Sequence, residues 1–276
     1  MGDALLQNEP TIRAGVFLVV LAAMAAWEAA APRRALGLSR ARRWPSNLGM
    51  VAINAVLLRL IFPTAAVGVA LIGEQRGWGL LRVIAMPAWL QIALTVLLLD
   101  LAVYLQHVLA HAVPVFWRLH RMHHADLDFD VTTGVRFHPI EILLSMMLKV
   151  AVVMAIGAAP LGVLIFEVLL NATSMFNHGN VRVPAAFDRV LRWLVVTPDM
   201  HRVHHSIEPH ETNSNFGFNL PWWDRLLGTY RPQPAAGHTA MTIGLDSFRD
   251  PAALRLDRML LQPFEGAAGR YPINRQ

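Results

Sequence analysis

The chain has 276 residues, of which 55% are hydrophobic and 16% are charged, and its mean hydropathy is +0.41. Soluble domains average about 25% charged residues, so this composition is typical of a membrane protein. Cysteine is absent, which excludes disulfides, thiolate metal sites and thiol nucleophiles. The net charge is +5, but the arginines flank apolar segments instead of forming one basic face, which excludes nucleic acid as a partner.

The apolar runs predict an all-α integral membrane protein with about four membrane-embedded segments: three spanning helices and one re-entrant helical hairpin. The spans are expected at residues 14–31, 48–72 and 83–113. Pro63 should kink the second of them. The hairpin is expected over 141–176, because Gly157-Ala-Ala-Pro160 divides that stretch into two short arms. We predict one membrane domain covering residues 1–276, with a C-terminal tail at 232–276 that holds a short amphipathic helix near 251–261.

Five arginines between the first two spans predict the orientation of the chain. Arginine-rich short loops remain cytoplasmic, so this stretch is expected to be an interfacial loop on that side. Counting spans then places the end of the third span and both ends of the hairpin on the cytoplasmic side, beneath a helical cap. The aspartates at 126, 128 and 130 are interpreted as a solvated loop of that cap.

Eleven of the twelve histidines lie between His107 and His210, mostly in one HxxxH and two HxxHH motifs. Neutral imidazole is the commonest protein ligand for transition metals, and helix positions i, i+3 and i+4 share a face. Eight histidines in three such motifs are enough for two metal ions. These eight are His107, His111, His120, His123, His124, His201, His204 and His205.

The identity of the metal is constrained by what the motifs lack. There is no HExxH motif with a glutamate base, and there are no ExxH pairs of the kind found in soluble di-iron proteins. A structural zinc site would need only four ligands. A nitrogen-rich, carboxylate-poor site at a membrane surface suits iron that activates dioxygen against a lipid chain.

Seven motifs occur in order: HxxxH, WRLHRMHH, RFHPxE, NHxN, TPxxHRVHH, NxNFG and WDRLLGT. Together they resemble the fatty acid hydroxylase/sterol desaturase superfamily of integral membrane di-iron oxidoreductases, over about residues 96–231. The departures are small: Phe216 and Leu227 stand where that superfamily often has Tyr and Phe. Both positions remain apolar.

The resemblance implies that the eight clustered histidines bind metal, together with His178 and with His138, whose alternative role is to cap the helix at Pro139. It implies two iron ions, with dioxygen as co-substrate; zinc could replace iron during purification. Four further residues are expected to support the ligands: Asp100, Tyr104, Asn215 and Asp224. His210 is expected outside the site, and His238 is expected to be exposed.

The function implied by the resemblance is hydroxylation or desaturation of a lipid, with electrons from a separate donor such as a ferredoxin or a cytochrome with its reductase. The substrate stays open among sterols, fatty acyl lipids, ether lipids, ornithine lipids and carotenoids. The expected location is a bacterial inner membrane, with the site facing the cytoplasm. The alternative is a membrane zinc or iron binding or transport protein, but a transporter would hold its ligands near the bilayer midplane.

Overall fold

The computed structural model describes residues 2–273, which form fifteen α-helices, three 3₁₀-helices and no β-strand. In chain order the α-helices are α1 (Gly2–Gln7), α2 (Glu9–Ala30), α3 (Arg40–Ile61), α4 (Ala65–Arg76), α5 (Leu80–Val83), α6 (Ala88–Ala112), α7 (Pro114–His124), α8 (Pro139–Ile156), α9 (Pro160–Asn177), α10 (Ala185–Leu191), α11 (Pro198–His204), α12 (Pro209–Thr212), α13 (Trp222–Leu226), α14 (Gly237–Ala240) and α15 (Leu256–Leu261). The 3₁₀-helices are Thr133–Val135, Pro251–Leu254 and Gln262–Phe264.

Five helical segments in the described part of the chain are long and apolar enough to cross a membrane: α2, the consecutive α3 to α5, α6, α8 and α9. The protein is therefore an all-helical integral membrane protein. The predicted hairpin corresponds to α8 and α9, which have 18 residues each. Gly157 ends α8 at φ 67°, in the left-handed region that favours glycine, and this lets the chain turn directly into α9.

The second predicted span is broken where a kink was expected. Helix α3 ends at Ile61 and α4 begins at Ala65, with Pro63 between them. Proline has no N–H to donate, and it disfavours helical geometry at the residue before it. Phe62 accordingly has φ −122° and ψ 69°.

The membrane helices pack closely around α6 and α9. At Gly162 of α9, an added Cβ would lie 2.8 Å from the side chain of Thr95 on α6. The Thr95 hydroxyl also accepts a hydrogen bond of 3.0 Å from the backbone N–H of Ala159. The two helices therefore pack without a large side chain between them, and this holds His107 and His111 of α6 near the end of α9.

The prediction of an interfacial loop between the first two spans is wrong in part, because helix α3 already begins at Arg40 and includes the second half of that stretch. Arg43 is fully buried and donates to Asp126 at 2.8 Å and to Asp130 at 2.6 Å. Asp128 accepts the backbone N–H groups of residues 37 and 38. The aspartates are therefore not a solvated loop. The sequence did not reveal this pairing, because Arg43 lies more than 80 residues before the aspartates that it contacts.

The C-terminal tail packs on α7. Trp117 donates to the carbonyl of Ala268 at 3.0 Å and stacks on Tyr271, with ring centroids 5.5 Å apart. Arg121 donates to the carbonyl of Gln262 at 2.5 Å. The amphipathic segment predicted at 251–261 consists of one 3₁₀-helix followed by α15. The tail thereby holds in place the helix that carries the first HxxHH motif.

Candidate metal centre

Nine histidines, each at most 3% exposed, form two adjacent groups. Within each group the nitrogen atoms available to a metal all lie within 4.8 Å of one another. The five-histidine group contains His107, His111, His120, His124 and His204, and the four-histidine group contains His123, His178, His201 and His205.

The three sequence motifs divide between the groups by helical phase. The i, i+4 pairs stay together, with His120 and His124 in the five-histidine group and His201 and His205 in the four-histidine group. The remaining histidine of each HxxHH motif lies in the other group: His123 in the four-histidine group and His204 in the five-histidine group. Consecutive helical residues point about 100° apart, so His123 cannot face the same point as His124. Each HxxHH motif therefore contributes to both groups.

The Nε2 atoms converge in both groups. His120 Nε2 lies 3.1 Å from His107 Nε2 and 3.2 Å from His124 Nε2. His178 Nε2 lies 3.1 to 3.2 Å from the Nε2 atoms of the other three members of its group. Two nitrogen ligands about 2.1 Å from one ion are roughly 3 Å apart when their bonds to it are perpendicular. The spacing in each group fits shared coordination of one ion.

The outer ring nitrogens indicate which tautomer is present. Several Nδ1 atoms face backbone carbonyls, which can only accept a hydrogen bond, so these Nδ1 atoms carry the proton. The pairs are His107 with Phe216 at 2.7 Å, His204 with Ser214 at 2.7 Å, His178 with Ser174 at 2.8 Å and His123 with Arg136 at 3.3 Å. Their Nε2 lone pairs therefore point inward, toward a position where a cation would relieve their mutual repulsion.

Two histidines of the five-histidine group donate to side chains instead. His120 Nδ1 lies 2.6 Å from a carboxylate oxygen of Glu141, and His111 Nδ1 lies 3.0 Å from the amide oxygen of Asn213. Neither side chain is among the four supporting residues expected from the sequence. The available signal was the position of Glu141 in the RFHPxE motif.

Burial keeps these rings neutral. It lowers the pKa of His124, His201, His204 and His205 well below the ordinary value, and the neighbouring histidines lower it further. Burial also lowers the pKa of His178 to about 3. Neutral imidazole is the form that binds metal. Among the residues that the structure describes, none forms a hydrogen bond with Nε2 of His204, as expected for a nitrogen ligand directed at an ion.

The remaining histidines lie apart from both groups. His138 caps α8: its Nδ1 accepts from the N–H of Ile140, and its Nε2 lies 3.2 Å from the carbonyl of Leu260. The side chain of His210 is 54% exposed. The prediction that His238 is exposed is wrong, because its side chain is 3% exposed and lies 3.5 Å from Asp199. Segment 237–241 lies against the residues between α2 and α3, where Arg34 donates to the backbone carbonyl of Met241.

The four expected supporting residues form hydrogen bonds within or to the loop between residues 213 and 231. Asp224 accepts the N–H groups of Phe216 and Gly217, which fixes the carbonyl that faces His107. Burial raises the pKa of Asp224 to about 6. Asn215, at φ 52°, donates to the carbonyls of Met200 and Arg231.

The other two hold the same loop from α6. Asp100 accepts from the indole N–H of Trp223 at 2.8 Å, and the hydroxyl of Tyr104 lies 2.8 Å from that of Thr229. These hydrogen bonds join the four supporting residues to the loop and to Met200 of α11. None of these bonds reaches a histidine ring.

A cavity of about 440 Å³ lies among α2, α3, α6, α8 and α9, and we call it the bundle cavity. His107 and His120 line it, together with Glu141, Phe137 and Phe218. The five-histidine group therefore borders a mostly apolar space inside the helical bundle, whereas no member of the four-histidine group lines it.

Comparison with known proteins agrees with this site. The chain is 26% identical over 225 residues to an alkylglycerol monooxygenase of Xenopus tropicalis, covering 78% of the chain and 47% of that protein. It is 33% identical over 158 residues to the ornithine lipid hydroxylase OlsE of Rhizobium tropici, covering 57% and 46%. It is 26% identical over 146 residues to a cholesterol 25-hydroxylase of Rattus norvegicus, covering 52% and 47%.

The chain thus spans about half the length of these curated relatives. No solved structure matches it. The sequence model of the fatty acid hydroxylase family matches residues 92–229, which include all nine clustered histidines and all but the last two residues of the loop that supports them. The chain belongs to the fatty acid hydroxylase family.

Proposed function

We propose that the protein is a membrane oxidoreductase that hydroxylates or desaturates an unactivated C–H bond of a lipid, using dioxygen at two iron ions. The observation that carries the proposal is the bundle cavity, which lies between membrane helices and is lined by His107 and His120 of the metal centre. A lipid chain could reach the metal centre through this space without crossing water. The named relatives act on alkylglycerols, ornithine lipids and cholesterol, so lipid is the substrate class common to them.

The nine clustered histidines would hold the two ions, five at one position and four at the other. Bound iron would supply the reduction of dioxygen, with electrons from a separate donor such as a ferredoxin or a cytochrome with its reductase. The protein supplies neutral nitrogen ligands of fixed tautomer. Glu141 strengthens the donation from His120 through its 2.6 Å contact, since a carboxylate partner makes a coordinated imidazole more basic.

The aromatic walls of the cavity would keep the substrate positioned and water excluded. Phe137 stacks on the His123 ring with centroids 4.4 Å apart, and Phe218 lies 5.0 Å from the His107 ring. Fixed substrate geometry decides which C–H bond reacts and whether hydroxylation or desaturation follows.

Lipid analysis of a bacterial host tests the function. We expect a strain that expresses the chain to contain one lipid class that gains an oxygen atom or loses two hydrogen atoms, relative to a strain expressing His204→Ala. Identical lipid profiles, with both proteins present in the membrane, would contradict the proposal.

We further propose that the protein lies in a bacterial inner membrane with the metal centre on the cytoplasmic side. The arginines around α3 support this orientation. The cysteine-free chain makes the test direct. The variant Arg42→Cys should react with a membrane-impermeant thiol reagent only after the cells are opened. The variant Gln75→Cys should react with the same reagent in intact cells. The reverse pattern would show the opposite orientation.

A further inference from the structure

A cluster of charged residues lines the bundle cavity within the membrane helices. Lys149, the only lysine of the chain, lies 2.9 Å from Glu167, and Arg13 lies 3.0 Å from the same carboxylate. All three side chains line the cavity. Glu167 is 1% exposed, Lys149 is 13% exposed and Arg13 is 28% exposed. We call these three residues the cavity triad.

The cavity triad lies well away from the metal centre. Glu167 of α9 precedes His178, the residue directly after that helix, by eleven residues, a rise of about 16 Å. Lys149 follows Glu141 by eight residues on α8, a rise of about 12 Å. The same cavity therefore has imidazoles at one end and charges at the other. Ionisable side chains within membrane helices are costly, and they are usually retained for binding or transport.

The charges of the triad do not balance on the cavity side. Two cations and one carboxylate line this end of the cavity, because Glu141, the other lining carboxylate, lies beside His120 at the metal end. Glu9, which pairs with Arg13 at 2.6 Å, does not line the cavity. One ion pair would be enough to join two helices. Lys149 carries three N–H donors, and its one described partner is Glu167. The two cations that face the cavity at this end, and the free N–H donors of Lys149, favour an anionic group there.

We infer that the cavity triad binds an anionic oxygen group, a carboxylate or a phosphate, of the lipid whose chain extends to His107 and His120. This inference rests on the proposed function for its reacting end. An extended chain advances about 1.2 Å per bonded atom. The oxidised carbon should therefore lie roughly ten to thirteen bonded atoms from the anionic group, given the rise of 12 to 16 Å estimated from the helices.

Binding to the metal-free protein in detergent tests the inference without turnover. The probes are oleate, oleyl alcohol and a phosphatidate. Wild type should bind oleate or the phosphatidate about tenfold more tightly than the alcohol, and whichever anion binds better identifies the group. Lys149→Gln should remove that preference, Glu167→Gln should increase anion affinity, and Lys149→Arg should retain it. Arg59→Gln is the matched control, because Arg59 lies on α3 but does not line the cavity.

The two Gln variants are thus expected to change anion affinity in opposite directions. A purely structural ion pair would behave differently, because its loss would lower the thermal stability of both variants without opposite effects on anion affinity. If Lys149→Gln does not fold, Glu167→Gln decides alone. Equal affinity of wild type for acid and alcohol, or unchanged anion affinity in Glu167→Gln, overturns the inference. Lipid oxidation by wild type with no anion preference would leave the proposed function intact. Anion binding without any lipid oxidation would support the anion site at the cavity triad and contradict the proposed function.

Discussion

The two histidine groups have similar ligands but different surroundings. The five-histidine group borders the bundle cavity through His107 and His120, and two of its rings donate to side chains, Glu141 and Asn213. The four-histidine group is enclosed, with Phe129 stacked on His178 and Phe137 stacked on His123. Its described outer contacts are to backbone carbonyls.

This difference indicates a division of labour under the proposed function. The metal position of the five-histidine group is the one a lipid can approach, and its side-chain partners make its chemistry adjustable by mutation. The position of the four-histidine group is shielded from the cavity. Each HxxHH motif contributes to both groups, so a displacement of either helix as a whole would move ligands of both positions.

The largest expected effect comes from removing one histidine of each group. His204→Ala and His123→Ala should each abolish lipid oxidation, because each removes a buried imidazole from one proposed ion position. Metal analysis of the purified variants should find close to one ion per chain instead of two. His210→Ala, which changes an exposed side chain, serves as the control. Full turnover by either buried variant would refute a two-ion centre.

Gly134→Ala should damage only the enclosed group. An added Cβ at this residue would overlap the carbonyl oxygen of Ser174 and lie 3.0 Å from Nδ1 of His178. The Ser174 carbonyl accepts from His178, so a shift of this carbonyl disturbs the His178 ring. We expect loss of the second ion and destabilisation of about 1–3 kcal/mol. The control is Gly15→Ala, where an added Cβ meets no atom within 4 Å. Two tightly bound ions in Gly134→Ala would show that His178 is not a ligand.

Glu141→Gln should affect the five-histidine group alone. The amide removes the negative charge beside His120 while keeping the shape of the side chain. Loss of such a partner lowers metal affinity or activity by roughly 10–100-fold. Metal titration should show one weakened site and one unchanged site. Equal weakening of both sites would contradict the separation of the groups.

Removal of both ions should make stability depend on pH. The folded state lowers the pKa of His124, His201, His204 and His205, whereas unfolded histidine titrates near 6.5. Below about pH 6.5 the unfolded chain binds protons that the folded chain cannot bind, so stability falls with decreasing pH. Thermal unfolding of the chelated protein should show Tm falling from pH 7.5 to 5.5. A constant Tm would contradict this account of the neutral rings.

The smallest effect is expected at His138. Its ring caps α8 and lies in neither group, so His138→Ala should cost about 0.5–2 kcal/mol in stability and leave two ions bound. Metal content and thermal unfolding of the variant would check both parts. Loss of one ion would restore His138 to the ligand set.

The sequence predicted what depends on local spacing and failed where distant segments meet. The three histidine motifs identified eight of the nine clustered rings, because helical periodicity alone puts i, i+3 and i+4 near one another. The ring of His138 has the same chemistry, and only the position of Leu260 in the folded tail shows that it points away. His238 and Arg43 were misjudged for the same reason, since their partners are remote in sequence.

Iron content and oxygen uptake, measured on one preparation, test the central claim most directly. Protein produced with iron should contain two iron ions per chain and consume dioxygen only when both a reductant and a lipid extract are present. One zinc ion per chain, with no lipid-dependent oxygen uptake under any reductant, would contradict the account.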